Sequence, residues 1–305
     1  MSSKNTTPSP VVVRILIAIL CLIWGSTWLV IKGGLRDLPP FTSAGARFAI
    51  AALIMIGVAA LLGRHEGGEK PPVWLWTVQG VTSFAMSYGI VYHTETILPS
   101  GLVSLLFGVY PMLQALAGHF FLDDERLHSY QWLGFGVGLV GLILLFGTDL
   151  HGIGPEGIPT GLLLMLSPIS VVIGTTLVKR YGSGVNSTLL NRNGMFVGAA
   201  LLLGAAFALE RDAVLSWTPA AIASVLYLAV MGTVLTFSLF FWLLRSTPAH
   251  KMALIAYVAP AIALFLGWAF AGEPVTGWTL SGAACVLSGV LLVVQRRHPT
   301  RTGVE

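Results

Sequence analysis

Long apolar runs broken by short polar punctuation dominate the chain. A helix needs about 20 apolar residues to cross the hydrocarbon core of a bilayer. That length, with Pro, Gly and charged residues as boundaries, predicts ten spans at roughly 11–31, 41–63, 72–92, 97–121, 129–147, 158–178, 187–208, 218–243, 247–271 and 277–295. The connections are short, and none is long enough for a soluble domain. The first run has no small-residue cleavage site and passes through Trp24, Trp28 and Lys32, so it reads as a retained span and not a removed signal peptide.

One stretch is written twice. Leu98 to Glu125, LPSGLVSLLFGVYPMLQALAGHFFLDDE, returns at Thr247 to Glu273 as TPAHKMALIAYVAPAIALFLGWAFAGE. Pro99 pairs with Pro248 and Pro111 with Pro260 at a separation of 149, and Glu125 with Glu273, Gly134 with Gly282 and Gly141 with Gly289 at 148. Chance matching of apolar residues does not keep two prolines and a glutamate in step, so the chain reads as a tandem duplication. The expected organisation is a tail at 1–10, a first five-helix repeat at 11–148, a linker at 149–157, a second repeat at 158–295 and a tail at 296–305. Five spans is an odd number, so the second half must run upside down relative to the first. The fold class is therefore all-α integral membrane, with ten transmembrane helices in two inverted five-helix repeats. Inverted halves meeting around a midplane site are the arrangement of carriers that work by alternating access.

Composition agrees with membrane placement. The chain of 305 residues is 55% hydrophobic and only 10% charged, with a mean hydropathy of +0.82. A soluble domain carries about 25% charged residues. Net charge +4 and pI near 9.2 do not indicate nucleic acid, because Lys and Arg sit scattered at the ends of apolar runs. With the amino terminus inside, twelve Lys and Arg fall on the inner side against three outside, Lys32, Arg36 and Arg211. That bias places both termini in the cytoplasm. Two separate cysteines, Cys21 and Cys285, offer no disulfide or metal framework, and no nucleotide or metalloprotease motif is present. No cofactor is expected.

Most prolines mark loops or helix starts, but Pro111, Pro168 and Pro260 lie well inside spans. An interior Pro removes a backbone hydrogen bond and kinks the helix, and in lipid the freed carbonyl must find a partner in protein or cavity water. Helices four, six and nine are thus expected to kink toward a shared interior, with these prolines as hinges.

Several segments resemble a known family: IWGSTWLVIK at Ile23 to Lys32, LPPFTSAGARF at Leu38 to Phe48, LPSGLVSLLFGVYP at Leu98 to Pro111, and Glu125 with Gln131-Trp132-Leu133-Gly134. In the second half the resemblance continues through Ser246-Thr247-Pro248-Ala249, Tyr257, Pro260, Glu273 and Gly282. These are similar to the EamA branch of the drug/metabolite transporter superfamily. The resemblance implies a ten-helix carrier of the bacterial inner membrane that exports small metabolites such as amino acids, or toxic compounds, and is not an enzyme. It also implies a cavity lined by helices one to four and six to nine, with five and ten outside. Helix six, SPISVVIGTT, departs from the family by its interior Pro168 and its lack of the usual Trp.

Candidate substrate-binding residues follow from polar groups at membrane depth. Arg47 lies about 10 Å along helix two at 1.5 Å per residue. A charge there is costly and turns to a cavity or a partner. Its fork of donors can hold a carboxylate or phosphate, or else cap carbonyls or pair with Glu95. Trp24, Ser26, Thr27 and Trp28 surround Gly25 on helix one, where the hydroxyls can bond substrate or pack between helices. Tyr110 and Gln114 share a face of helix four beside Pro111, Tyr257 precedes Pro260 by three, and Tyr88 with Ser87 lies on helix three. Asn191, Arg192 and Asn193 near the inner end of helix seven are weaker candidates, Arg192 being placed to snorkel to the interface. His119 reads as an interface histidine, and His93 and Glu95 as solvated groups in an outer turn. No Asp or Glu stands at mid-span, so the simplest proton-antiport scheme lacks its residue. The glycines of helices five and ten suit packing within the bundle or a dimer face. Partners are a small-molecule substrate and the lipid bilayer, with no nucleic acid, and the chain is a monomer or homodimer. The rival is an integral-membrane enzyme acting on lipid, which would need paired carboxylates, a His cluster or metal ligands at depth; none is visible, and no metal site is expected.

Overall fold

A computed structural model describes residues 10–61, 67–122, 126–246, 252 and 254–294. Both tails and several residues of the repeat motif, among them Glu125, Thr247, Pro248 and Ala249, lie outside the described residues, as do Asp123 and Asp124. Among the described residues the helical segments join into ten runs, with a single isolated bridge, Glu69 to Val185, as the only extended pairing.

The runs are α1 Pro10–Gly34, α2 Pro40–Leu61, α3 at 73–95, α4 Ser100–Phe121, α5 Ser129–Ile153, α6 Gly157–Tyr181, α7 Ser187–Leu209, α8 at 219–246, α9 Leu254–Ala271 and α10 Gly277–Val294. All except α3 contain a stretch long and apolar enough to cross a membrane, giving nine candidate spans among the described residues. In α3 the apolar density is lower because its face is buried by other helices: Ser83, Phe84, Ser87, Tyr92 and Thr94 all lie inside.

Helix starts follow local chemistry. Asn186 opens α7 by accepting the Leu189 amide at 2.9 Å, and Thr218 opens α8 by accepting that of Ala221 at 3.1 Å, with Pro219 in the first turn, where its missing N–H is not needed. α2 and α4 instead begin with amides capped by carboxylates from elsewhere in the chain. α3 and α8 each contain a π-helical turn, at Gly80–Met86 and Val230–Leu235. These two lie at matching places in the two halves, and a third π-helical turn, Leu145–Leu150, lies near the end of α5.

Helix pairing has a regular form. α5 packs on α10, α2 on α7 and α4 on α9; α1 packs on α8 and α9, and α6 on α3 and α4; α3 packs on α7, and α8 on α2. Adding five to each helix number, modulo ten, maps these most extensive pairings onto one another, whereas the smaller contacts of α1 with α4, α2 with α3 and α4 with α10 have no such counterparts among the described residues. The α5–α10 seam is made by glycines: a Cβ on Gly134 would stand 2.8 Å from the Gly289 carbonyl, and one on Gly141 2.7 Å from that of Gly282. Those glycines are committed inside the bundle. Exposed Leu53, Leu139, Ile143 and Phe265 cover the outside, and the exposed tryptophans Trp74, Trp132, Trp217, Trp242, Trp268 and Trp278 all sit near helix ends, where indole favours the membrane interface.

Candidate functional site

The polar centre forms around Arg47, which is 1% exposed. Its Nε donates to Thr233 Oγ1 at 3.0 Å, Nη1 to the Tyr92 hydroxyl at 3.3 Å and Nη2 to the Gly232 carbonyl at 3.3 Å. The guanidinium carbon also lies 4.8 Å from the Tyr88 ring centre and 5.3 Å from that of Phe48, positions at which a ring quadrupole attracts a cation. Thr233 and Gly232 belong to the π-helical turn of α8, where the widened turn frees a carbonyl for an outside donor. Arg47 therefore ties α2 to α8 and α3. All of its hydrogen-bond acceptors are neutral. Pairing with Glu95, an alternative on sequence grounds, is absent. A buried guanidinium among neutral groups keeps its full positive charge available to an anion.

On α1, Gly25 brings the backbone close to α9: a Cβ there would lie 2.6 Å from Ile262 Cγ2 and 3.0 Å from the Ala259 carbonyl. Ser26 shares a 2.7 Å hydrogen bond with the Tyr227 hydroxyl of α8, whereas Thr27 turns back to donate to the Trp24 carbonyl at 2.7 Å. Trp24 packs on Phe237 and Phe240 of α8, and Trp28 on Phe107 of α4, which stacks in turn on Tyr110. The aromatic wall thus runs from α8 through α1 to α4. Tyr88 meets Phe48 edge-on at 4.7 Å and joins the Arg47 group.

A second polar group lies where α4 crosses α6. Gln114, four residues along α4 from Tyr110, donates to Thr176 Oγ1 at 3.2 Å and accepts from Thr175 Oγ1 at 2.5 Å. Tyr257 goes elsewhere. Its hydroxyl donates to the Val290 carbonyl of α10 at 3.1 Å, so the structure leaves it outside both polar groups. Arg192 bonds its neighbour Asn193, and Asn191 bonds Gln79 of α3. His119 Nδ1 accepts the Leu127 amide, as suits an interface histidine.

The three prolines do different things. α4 is interrupted at Gly108 and Val109, and Pro111 sits in the first turn of the segment that restarts at Tyr110, so it opens a helix instead of kinking one. Pro168 and Pro260 do lie inside continuous helices. The break and Pro260 meet, since a Cβ on Gly108 would lie 3.5 Å from the Pro260 ring. Next to Pro168, Ser167 shares a 2.8 Å bond with Ser87, and Ser170 donates to the Thr82 carbonyl in the π-helical turn of α3 at 2.9 Å.

The bundle end at which α1, α3, α7 and α9 finish, here the Lys32 end, holds groups that the sequence left in solvent. Lys32 is only partly exposed, and its ammonium donates to the carbonyls of Glu95 at 2.5 Å and Leu98 at 3.0 Å. Glu95 is not solvated: it is 0% exposed, because its side chain turns into the bundle while His93 and Thr96 on either side of it stay exposed. Glu210 caps α2 by accepting the amides of Phe41 and Thr42 at 2.7 and 2.8 Å, and Glu273 caps α4 by accepting those of Ser100 and Gly101 at 2.6 and 2.9 Å. Each places a carboxylate at the positive end of a helix dipole. A surface cavity of about 240 Å³ opens beside Glu273, lined also by Pro99, Leu102, Asp149 and Thr279. Hydropathy along the chain gives no signal for these caps, because each joins residues more than 160 positions apart.

The chain is 26% identical over 92% of its length, and 96% of the relative's, to the uncharacterized transporter YoaV of Bacillus subtilis. It is 26% identical to the uncharacterized inner membrane transporter YedA of Escherichia coli, covering 92% and 89%. A protein of Salmonella typhimurium named a probable amino-acid metabolite efflux pump is also 26% identical, with 90% and 92% covered. A solved crystal structure superposes with a TM-score of 0.66 at 19% identity, over 93% of this chain and 98% of the other, a likeness of fold alone. Residues 13–147 and 159–295 each match the EamA-like transporter family, and the chain belongs to that family.

Proposed function

We propose that the chain is a secondary carrier that exports small metabolites, amino acids or related compounds, or toxic compounds, across the inner membrane by alternating access. The observation that carries this reading is that the most extensive helix pairings map onto one another when every helix is replaced by the one five positions along. Two separate family matches, one per half, support the same division. On this reading α3 is the tenth crossing helix, shielded from lipid by its neighbours. Both termini are cytoplasmic, the halves run in opposite senses, and the Lys32 end faces outward.

Arg47 takes the anionic group of the substrate, with Tyr88 and the aromatic wall of Trp24 fixing the rest of the molecule. Ser26 contributes a hydroxyl, while Thr27 shapes the wall through its own-helix bond. Tyr110 and Gln114 form the far boundary against α6, and Tyr257 tunes the α9 to α10 contact. The break before Pro111, together with Pro168 and Pro260, supplies the bending points. Movement between two states requires an element with two arrangements, and an interrupted helix resting on a proline-bent one is such an element.

Proteoliposomes loaded with labelled amino acids test this. Counterflow should be faster with protein than without, and the label should emerge chemically unchanged. No flux of any amino acid, together with turnover of a lipid, would transfer the chain to the rival class of membrane enzymes.

A further inference from the structure

Glu95 closes α3 with a side chain wholly removed from solvent, and neither carboxyl oxygen has a hydrogen-bond partner among the described residues. The charged groups that act on it are Lys32 on α1, Glu273 beyond α9 and Arg47 on α2. Each is engaged elsewhere. Lys32 holds the carbonyls of Glu95 and Leu98, Glu273 holds the α4 amides, and Arg47 holds Thr233, Tyr92 and Gly232. On its own helix the Tyr92 hydroxyl accepts from Arg47. From α6 and α4, the other helices packed on this part of α3, Ser167 bonds Ser87, the cations Lys179 and Arg180 lie at the opposite end, and the adjoining α4 segment Ser100–Phe107 carries no titratable side chain.

An ionised carboxylate with no donor in a dry interior is far costlier than a neutral acid. Opening the Lys32 end changes that balance, because water and a released Lys32 ammonium can then reach the carboxyl. We propose that Glu95 is a proton-binding site whose occupancy holds the Lys32 end closed. The O–H bond breaks as that end opens, the proton passes to water, and the carboxylate is left facing Lys32. The closed state binds the proton more tightly, so acid favours closure and alkali favours opening, by linkage. This rests on the carrier reading for the existence of an open state, although proton binding itself needs no substrate.

The test uses full-length protein in liposomes with Cys21→Ala and Cys285→Ala, spin-labelled at Thr96→Cys and Val214→Cys, exposed positions on the α3–α4 and α7–α8 connections. Double electron–electron resonance should show the longer-distance population growing from mildly acid to mildly alkaline buffer. Glu95→Gln, the shape of the protonated acid, should lose that shift and stay closed. An unaltered shift in Glu95→Gln, or no shift in the parent, overturns the proposal. Infrared titration of the parent adds an arm that needs no variant: a protonated-carboxyl band should disappear over the same pH range as the opening. Absence of the band at every pH also overturns the proposal. Amino-acid flux measured on the same liposomes separates the two failures. Flux with no pH-dependent opening sinks the proton site alone, whereas opening with no flux sinks the amino-acid export reading and leaves the proton site standing.

Discussion

The π-helical turns of α3 and α8 occupy matched positions yet are held by different means. In α8 the turn is held by polar groups: Arg47 reaches the Gly232 carbonyl and Thr233 hydroxyl, and Thr233 itself donates to Leu228 at 2.8 Å. In α3 the turn is held largely by the absence of side chains. A Cβ on Gly80 would lie 2.6 Å from Val197 Cβ and 2.7 Å from the Gly194 carbonyl, and one on Gly198 would lie 2.5 Å from Phe84 Cβ. Hydrogen bonds from a guanidinium can be exchanged for bonds to a ligand, but a glycine contact has nothing to exchange. On the carrier reading proposed above, the α2–α8 side suits adaptable recognition and the α3–α7 side a fixed fulcrum.

Substitutions can break this contrast. Arg47→Met should reduce counterflow about a hundredfold, taking charged hydrogen bonds at about 1.5–3 kcal/mol each and a factor of ten per 1.4 kcal/mol. The protein should still run as a folded species in size-exclusion chromatography. Unchanged counterflow would remove Arg47 from the site. Gly80→Val should act in the opposite way, lowering thermal stability by about 1–3 kcal/mol through overpacking, with substrate affinity in the surviving protein unaltered. If affinity falls instead, the α3 turn is not a passive support.

Much of the architecture is legible along the chain. Run length, proline and glycine mark the apolar helices, and the cost of a charge at depth explains why Arg47 turns inward. Its partners are another matter, because GVTSFAM and VMGTVL carry no periodic sign that their turns widen. Glu95 illustrates a second limit. HTETILPS reads as a polar turn, and only the packing of α1, α2, α4 and α6 on the end of α3 makes a buried acid of a residue that hydropathy assigns to solvent. Tyr257 marks a third, since its spacing from Pro260 does not say which neighbouring helix its hydroxyl meets.

Smaller effects sharpen the same comparison. Thr233→Val removes one acceptor from Arg47 and should weaken substrate binding about fivefold, for a loss near 1 kcal/mol, as read by scintillation proximity. Ser170→Ala, its counterpart beside α3, should cost about 1 kcal/mol of stability and leave binding unchanged, as differential scanning fluorimetry and the same binding assay would report. Tyr257→Phe should do least, with a stability loss of at most about 1 kcal/mol and normal counterflow; a marked loss of counterflow would bring α9 into the site.

The Glu273 cap has a further consequence, one that the Glu210 cap, bonded also to the Thr42 hydroxyl, does not share. Glu273 accepts only main-chain amides of α4, and Gly267 leaves room for its carboxylate beside α9. A clasp that grips backbone is indifferent to the side chains of the segment it holds. Ser100 can drift to other small residues without loosening it, and in the proposed alternating carrier re-engagement would require only one side chain to find its rotamer, so little conformational entropy would be lost per closure. On that proposal, such a fastening suits a joint that must let go and catch again many times in the life of one molecule.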